Sequence, residues 1–574
     1  MASYQGSRTE DDRLTRVSHR RPLRDRCTHR VEHRPRTRAP GAGTPRPGPP
    51  PHPDESQGGA VPFGSCSAPP RFLASPALIR NDGERAVDSG RSRTVTVAVL
   101  AVLAAVSAAV SAPGTAVGAP GGPDLAAIDR FVADYAEDAA YPGVAVAITR
   151  GDRVVHVTGH GRGSSGAAVT GSTPMPVASV SKSFTALAVL QLVERGRLGL
   201  DDPVARHLPG FRLADPRGAA ITVRHLLSQT SGITDGTLPE KSLPQPRSPA
   251  DAVTRANAAT LATDPGTRHT YTNTNFHLAG RLVEAVSGER YADYLRRHVF
   301  GPAGMTSTTA ITLTPRDLPA GVEKGHVHAY GASIAVAEPE RFVAGSDDVV
   351  TTAEDMARWL VVQSNGGRTA EGVRLVSAEG VEAMHTAADP RWTYGMGWDT
   401  YGGRVRHGGI WFTYAAGQVL LPSGYGIAVM ANSGVALGNE GTGGLEDGLA
   451  VLLEGGVPET RSRWAVDLVL AALTASSAVL GVRALRRTAA WAPRRPWWRQ
   501  ALRQAHRLVP IAALVALPDL AGLLYPGGRD ITHAQLAHYS PALVAWLVVA
   551  SAVNAAVLVT RAVALVRLRR VAAG

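Results

Sequence analysis

The order of apolar and polar residues divides the chain into segments with different structural signatures. Residues 181–196 are apolar on nearly every helical face, which predicts a helix buried on all sides. Residues 124–141 are apolar on one face only and predict an amphipathic helix. Between about 200 and 390, helical stretches alternate with Pro/Gly-rich loops, so a largely helical region is expected there.

Two β-hairpins are predicted near the ends of this region. Residues 143–149 and 154–159 alternate or run apolar around Gly151-Asp152. Residues 417–421 and 426–432 form a second pair around Pro422-Ser423-Gly424. Strands at both ends with helices between them predict one sheet built from the two ends of the segment, with a helical region inserted.

Past residue 458 the pattern changes to long apolar stretches. Three of them have about the 17–25 residues that a membrane-crossing helix needs: 464–482, 508–525 and 541–566. Eight arginines lie between the first two stretches, whereas the loop 526–540 contains one arginine, Arg529, and no lysine. Because positive loops stay in the cytoplasm, we expect the first helix to run inward, the second outward and the third inward. Residue 458 is then outside.

The N-terminal part has the composition of a tail followed by an export signal. Residues 1–93 are rich in Arg, Pro, Gly and Ser and are predicted to be disordered. The alternatives are a basic arm for nucleic acid or anionic lipid, and a misassigned start codon with the true start near Val95 or Val97. Residues 94–120 have an apolar core and small-x-small triplets after arginines, which predicts a signal peptide or an uncleaved anchor. Either one sends the following domain outside.

Charge and cysteine content narrow the function classes. The 574-residue chain carries a net charge of +12 and has a pI near 10.1, as many nucleic-acid-binding proteins do. Residues 121–456, however, contain 28 basic and 34 acidic side chains, and the excess arginine lies at the two ends. We therefore expect no nucleic-acid partner. Cys27 and Cys66 both precede the predicted domain 123–456, which rules out disulfides and a cysteine zinc site there.

A serine and a lysine stand three residues apart at the start of the buried helix. Positions i and i+3 of a helix share a face, so Ser179 Oγ and the Lys182 amine can meet. A serine hydroxyl becomes a strong nucleophile when a neighbouring base takes its proton, and a lysine, unlike an arginine, can be that base. Of 60 Lys and Arg residues, only Lys182, Lys241 and Lys324 are lysine. The alternative is a surface lysine extending from a core helix.

Two further motifs can complete a site for acyl transfer, which also needs a proton donor and an oxyanion hole. Tyr271 and Asn273 lie two residues apart after a Pro-Gly loop, where the phenol can exchange a proton with Lys182 and the amide can hold a substrate carbonyl. His407 is followed by two glycines, which on an edge strand let a substrate approach closely. Taken singly, Tyr271 also fits a packing role and His407 a turn. The absence of a G-x-S-x-G elbow from the sequence disfavours the α/β-hydrolase route.

These motifs, in this order, resemble the superfamily of class C β-lactamases and penicillin-binding D,D-peptidases, with its S-x-x-K, Y-x-N and K-T-G or H-x-G motifs. Segments 221–232 (ITVRHLLSQTSG) and 394–398 (YGMGW) resemble two further family segments. The resemblance covers about 125–440. It implies an α+β fold, a five-stranded antiparallel sheet flanked by helices with a helical subdomain, followed here by transmembrane helices. It also implies neither cofactor nor metal.

The resemblance assigns catalytic roles by position. Ser179 would be the acylated nucleophile, with Lys182 and Tyr271 as the base and proton-relay pair. The main-chain N–H groups of Ser179 and Ile410 would form the oxyanion hole.

Substrate-binding roles follow in the same way for Asn273, His407 and Gly409. A histidine in place of the K-T-G lysine resembles D,D-peptidase and D-aminopeptidase members and weakens recognition of a substrate carboxylate at neutral pH. Thr413 stands where related sequences usually have glycine, so the loop over the oxyanion hole is expected to differ.

The remaining polar features are interpreted structurally. His326 and His328 form an H-x-H pair that is assigned to a loop rather than to a metal site. Asp347 and Asp348 are assigned to a solvated turn. Asp467 is either an intramembrane functional carboxylate or an interface partner.

The sequence therefore predicts a membrane-anchored serine hydrolase of the cell membrane with its catalytic domain outside the cytoplasm. It would act through an acyl-enzyme on D-amino acid peptides, β-lactams or related amides and esters, with cell-wall peptide among the candidate substrates. The alternative is a penicillin-binding or sensory membrane module with little turnover. The presence of Ser179, Lys182 and Tyr271 favours the enzyme.

Overall fold

The computed structural model describes residues 122–437, 441–459, 464–491, 496–523 and 528–573 of the chain. The tail 1–93 and the signal peptide or anchor 94–120 that the sequence predicts lie outside these residues. The described strands, in chain order, are β1 Gly143–Arg150, β2 Arg153–Gly161, β3 Met175–Pro176, β4 Thr309–Ala310, β5 Leu313–Thr314, β6 Gly325–Ala329, β7 Ala332–Val336, β8 Arg341–Phe342, β9 Val349–Thr351, β10 Val405–Ile410, β11 Ala415–Leu420 and β12 Tyr425–Ala431.

The described α-helices make up about half of the remaining described residues. They are α1 Leu125–Asp138, α2 Ser181–Glu194, α3 Val204–His207, α4 Val223–Leu227, α5 Pro249–Ala256, α6 Asn273–Ser287, α7 Tyr291–Leu295, α8 Ala353–Ser364, α9 Ala378–His385, α10 Gly443–Leu453, α11 Trp464–Arg486, α12 Thr488–Trp491, α13 Trp497–Gln504, α14 Val509–Leu523, α15 His533–Tyr539 and α16 Pro541–Ala573.

The central sheet joins the two ends of the domain. Its strand order is β10-β11-β12-β1-β2, and neighbouring strands are antiparallel. Val146 of β1 pairs with Val429 of β12 on one side and with Thr158 of β2 on the other. The predicted α+β fold with a five-stranded antiparallel sheet is confirmed, and both predicted hairpins are present as β1–β2 and β11–β12.

Helices cover both faces of this sheet. Successive side chains of a strand point to opposite faces, and β1 is buried on both. Val146 and Ile148 pack in one apolar cluster with residues of α1 and α10. Ala145 and Ala147 pack in the other, with residues of α2 and α8.

Helix α2 lies at the centre of the second layer. Every residue from Ser181 to Leu192 is buried, which confirms the predicted burial of this helix. Phe184 stacks on Trp359 of α8 with 3.9 Å between the ring centroids. Burying one such aromatic side chain contributes about 1.5–3 kcal/mol. The packing fixes the start of α2, where Ser179 and Lys182 lie.

Three C-terminal helical stretches are long and apolar enough to cross a membrane, namely Ala465–Arg486, Trp498–Leu523 and Pro541–Val571. Their length and composition support association of the protein with a membrane.

The hairpin β6–β7 contacts these helices. Asp467 Oδ2 lies 2.6 Å from His328 Nε2 and accepts a hydrogen bond from the Gly331 amide at 3.0 Å, so Asp467 is an interface partner. His326 and His328 are buried on β6, and their assignment to a loop is wrong. The alternation of Gly-His-Val-His-Ala has the period of a strand.

Candidate active site

Ser179 lies in a 3-10 turn, Ala178–Val180, that leads directly into α2. The preceding residue, Ala178, has a φ of +47°, a left-handed conformation that residues with a Cβ rarely adopt. Such backbone strain costs about 1–3 kcal/mol and is concentrated at functional sites. The strained turn is therefore itself a sign that the position of the Ser179 hydroxyl matters.

Lys182 is fully buried, and acceptors surround its amine. Nζ donates to Ser179 Oγ at 2.9 Å, to Asn273 Oδ1 at 2.9 Å and to the Ser346 carbonyl at 3.0 Å. An ammonium group has three N–H donors, and these acceptors use all of them. Ser179 and Lys182 therefore meet as their spacing predicts.

Asp347 contacts both of these side chains, so the assignment of Asp347 and Asp348 to a solvated turn is wrong. Ser179 Oγ donates to Asp347 Oδ1 at 2.6 Å, and Lys182 Nζ lies 3.4 Å from the same oxygen. Both aspartates are buried. Burial acts to raise the pKa of Asp347, but the charges of Lys182 and Arg341 outweigh it and hold this pKa well below its usual range. The pKa of Asp348 lies well above its usual range, chiefly because of burial.

Arg341 links Asp347 to a buried glutamate. Its guanidinium lies 3.4 Å from Asp347 Oδ2 and 3.4 Å from Glu338 Oε1. Glu338 Oε2 accepts hydrogen bonds from the Thr413 hydroxyl at 2.8 Å and from the Thr413 amide at 3.1 Å. Burial raises the pKa of Glu338. Thr413 thus holds this carboxyl beside the segment that follows β10.

Tyr271 and Asn273 flank the start of α6. Asn273 Oδ1 accepts a hydrogen bond from Lys182 Nζ. Lys182 Nζ also lies 4.9 Å from the centroid of the Tyr271 ring, so the ring face covers the amine. Segment 221–232 supports this corner, because Gln229 Oε1 accepts a hydrogen bond from Asn275 Nδ2 at 2.7 Å.

His407 lies on β10, the edge strand of the sheet. Its Nδ1–H donates to the Gly408 carbonyl at 2.7 Å, and its Nε2 accepts from the Tyr394 hydroxyl at 3.0 Å. These two contacts match a neutral ring, in which one nitrogen donates and the other accepts. Burial, followed by the charge of Lys182, lowers the pKa of His407 to about 3. Segment 394–398 thus fixes a neutral histidine in the third motif.

Strand β10 passes directly beside the main chain of Ser179. A Cβ added to Gly409 would lie 2.1 Å from the Val177 carbonyl oxygen and 3.1 Å from Ser179 N, so only glycine permits this approach. No atom lies within 4 Å of a Cβ added to Gly408. Ile410, the last residue of β10, is 44% exposed and follows this point of contact.

The arrangement as a whole is suited to acyl transfer. A hydroxyl is held between an amine and a carboxylate, an aromatic ring covers the amine, and a glycine strand lies against the amide N–H of the serine. Within the residues that the structure describes, no group of three or more His, Cys, Asp or Glu side chains is arranged to hold a metal ion.

Comparison with known proteins identifies the family. A sequence model described as Beta-lactamase matches residues 128–448. The chain belongs to the Beta-lactamase family. Its relatives include Protein flp of Staphylococcus aureus strain MW2, 29% identical over 315 residues that cover 53% of this chain and 62% of that protein. Penicillin-binding protein 4 of Amycolatopsis lactamdurans is 30% identical over 324 residues, 51% of this chain and 82% of that protein.

A solved structure, the octameric penicillin-binding protein homologue from Pyrococcus abyssi, shares 26% identity and a TM-score of 0.49, covering 59% of this chain and 79% of that one. The chain spans less than two thirds of the length of Protein flp. Proteins of the Beta-lactamase family act on small-molecule or peptide substrates, and membership indicates hydrolase chemistry.

The structure brings most of the expected site residues together. Ser179, Lys182 and Asn273 are in direct contact. Tyr271 and His407 lie 6.2 Å apart between ring centroids. Sequence reasoning missed the charged residues that surround this group, because each of them lies far from Ser179 along the chain: Arg341, Glu338 and Asp347. The one signal in the sequence is the pair of adjacent aspartates at 347–348, whose charge favours a solvated turn.

Proposed function

We propose that the protein is a membrane-anchored serine hydrolase that acts outside the cytoplasm through an acyl-enzyme. Its substrates are D-amino acid peptides, β-lactams or related amides and esters. The observation that carries the proposal is the 2.9 Å contact between Ser179 Oγ and the fully buried Lys182 Nζ. Membership of the Beta-lactamase family supports the same chemistry.

In the proposed reaction, the relay of Lys182 and Tyr271 begins with one of its two groups deprotonated. Ser179 Oγ forms a bond to the substrate carbonyl carbon while its proton passes to that group. The relay protonates the leaving nitrogen or oxygen as its bond to the carbonyl carbon breaks. Water then attacks the acyl ester and Ser179 regains its proton. The amide N–H groups of Ser179 and Ile410 hold the oxyanion, a role that the close approach of Gly409 to Ser179 N supports.

Substrate recognition falls to Asn273, His407 and Gly409. Because His407 is neutral and its two ring nitrogens contact Gly408 and Tyr394, it presents no positive charge to a substrate. Recognition therefore depends little on a carboxylate next to the scissile bond, so esters and amides are substrates alongside peptides. Penicillin is a suitable probe, since one relative carries the name Penicillin-binding protein 4.

The orientation follows from charge. The eight arginines between the first two apolar stretches favour the cytoplasm, which puts the loop containing Arg529 outside. Residue Asp530 of this loop accepts a hydrogen bond from the main chain of Ser242 at 2.6 Å. That contact supports a position of the hydrolase domain on the outer side.

The test is labelling and turnover by the full-length protein in membranes. We expect a fluorescent penicillin to label the wild-type chain covalently and a chromogenic ester or D-alanyl peptide to be hydrolysed, with both lost in Ser179→Ala. Ser183→Ala is the matched control, since it removes a hydroxyl of the same helix that donates to the Val180 carbonyl. Labelling without turnover would favour the sensory module, and labelling retained in Ser179→Ala would overturn the proposal.

A further inference from the structure

The loop between the second and third membrane helices contacts both sides of the candidate active site. We infer that residues 528–539 are a positioning element of that site, so that catalysis at Ser179 depends on a segment supplied by the membrane helices. This inference rests on the proposed serine chemistry. Its central residue is Arg529, which lies behind Tyr271.

The Arg529 guanidinium contacts both the main chain and the ring of Tyr271. Nη1 donates to the Tyr271 carbonyl at 2.9 Å, and the guanidinium carbon lies 5.3 Å from the centroid of the ring. Lys182 Nζ lies 4.9 Å from the same centroid. Tyr271 is therefore held by a cation from the membrane segment and contacts the cation of the catalytic cluster.

Arg529 is itself fixed by buried carboxylates of the domain. Its Nε lies 3.2 Å from Asp235 Oδ2, a side chain with 0% exposure. Glu240 is buried nearby, and after the opposing effect of burial the charges of Arg529 and Lys241 are the main causes that lower the pKa of Glu240 to about 2. Removing Arg529 would take one cation away from these two buried carboxylates, a costly change, although Lys241 Nζ still lies 3.4 Å from Asp235 Oδ2.

Asp530 forms further hydrogen bonds to the same region of the domain. Its Oδ2 accepts hydrogen bonds from the amides of Lys241 at 2.8 Å and Ser242 at 2.6 Å. Its own amide donates to Asp235 Oδ2 at 3.1 Å. The exchange of hydrogen bonds in both directions fixes residues 529–530 against the loop that contains Asp235 and Ser242.

Helix α15 reaches the opposite side of the site. Tyr539 and His538 pack on Phe412 with ring centroids 4.8 Å and 5.3 Å apart. Phe412 follows β10 and donates its amide to Glu338 at 3.3 Å. One short segment thus contacts the Tyr271 side and the β10 side together, and a domain cut out as residues 123–456 lacks it.

The experiment measures acylation of Ser179 by fluorescent penicillin in the full-length protein. We expect Arg529→Ala to lower the acylation rate roughly 10–100-fold, because displacements of about 1 Å at a catalytic group have effects of this size. The apparent affinity should change less, and labelling should still reach completion. Arg529→Lys keeps the positive charge beside Asp235 but loses the planar set of N–H donors of the guanidinium. We therefore expect an acylation rate between those of the wild type and Arg529→Ala.

The matched control is Arg567→Ala. This exposed arginine lies near the other end of α16, roughly 40 Å along the helix axis from its start, so the acylation rate should equal that of wild type. A wild-type rate in Arg529→Ala would overturn the inference. If no variant and no wild-type protein is labelled, the proposed serine chemistry fails instead.

A second measurement tests the contact without relying on activity. In a background with Cys27→Ser and Cys66→Ser, Ser242→Cys combined with Asp530→Cys puts a thiol on each of two side chains that are in contact, since Ser242 Oγ donates to Asp530 Oδ1. We expect oxidation in membranes to form a disulfide, seen as a mobility shift. The acylation rate should be several-fold higher in the oxidised form than in the reduced form. Failure to form the disulfide, or equal rates in the two forms, would refute the inference.

Discussion

Replacement of Asp347 by asparagine tests the charge cluster around Ser179. Asparagine has the same shape and keeps an oxygen that can accept the hydrogen bond from Ser179 Oγ, now 2.6 Å long. It removes the negative charge that lies 3.4 Å from Lys182 Nζ and 3.4 Å from the Arg341 guanidinium. The substitution therefore isolates charge from shape.

The size of the effect follows from burial. Lys182 and Asp347 have side-chain exposures of 0% and 3%, so water cannot replace the lost partner. Breaking a buried ion pair costs about 3–5 kcal/mol. We expect the lower end, about 3 kcal/mol, because Arg341 keeps Glu338 as a partner. At roughly 2–4 °C per kcal/mol for a domain of moderate size, the Tm falls by about 6–12 °C.

The assay is thermal unfolding of the purified full-length protein in detergent, at several pH values, with Asp152→Asn as an exposed control that should leave the Tm unchanged. The pKa of Asp347 is depressed in the folded state, so its contribution is present above the unfolded pKa near 3.9 and is lost as pH falls through the folded value. The Tm difference should be constant from about pH 5 to pH 8 and shrink in acid. A difference below about 1 °C at pH 7, or one that grows in acid, would refute the reasoning.

Three further predictions concern β10 and its surroundings. Gly409→Ala should lower the acylation rate at least about 100-fold, because the added Cβ would lie 2.1 Å from the Val177 carbonyl, whereas Gly408→Ala should leave it within a few-fold; equal effects in the two variants would contradict the packing. The pH profile of ester hydrolysis should have the same form near pH 6.5 in the wild type and in His407→Gln, since burial lowers the pKa of His407 to about 3. An inflection near pH 6.5 that the wild type shows and His407→Gln lacks would mean that the ring titrates. Thr413→Val should destabilise the protein by about 1–3 kcal/mol in thermal unfolding, because buried Glu338 loses a hydrogen-bond donor, and Thr413→Ser should restore most of it; no loss in the valine variant would argue against this anchor.

The sequence predicts those parts of the molecule that depend on local patterns. The length of the apolar run 181–196 favours a buried helix, and the alternation beside the two Gly-containing turns favours hairpin strands. Ser179 and Lys182 are three residues apart, so one turn of helix joins them. Asp347 is 168 positions from Ser179, and no local pattern distinguishes a buried aspartate from a solvated one.

The contacts of Arg529 are likewise invisible to local sequence patterns. The sequence draws attention to it only as the single basic residue of its loop, which matters for orientation. Its partner Tyr271 lies 258 positions away, and the contact depends on how the apolar helices pack beside the domain. Long-range packing of charged groups is the part of the site that composition and periodicity do not reveal.

The position of β1 in the middle of the sheet has a consequence for biosynthesis. Its partner Val429 is made about 280 residues after Val146, so one long edge of β1 stays open during most of translation. At about 5–20 residues per second this interval is roughly 15–60 s. An unpaired apolar strand that persists so long invites aggregation, and we therefore expect the nascent chain to need holding chaperones until its last strands emerge.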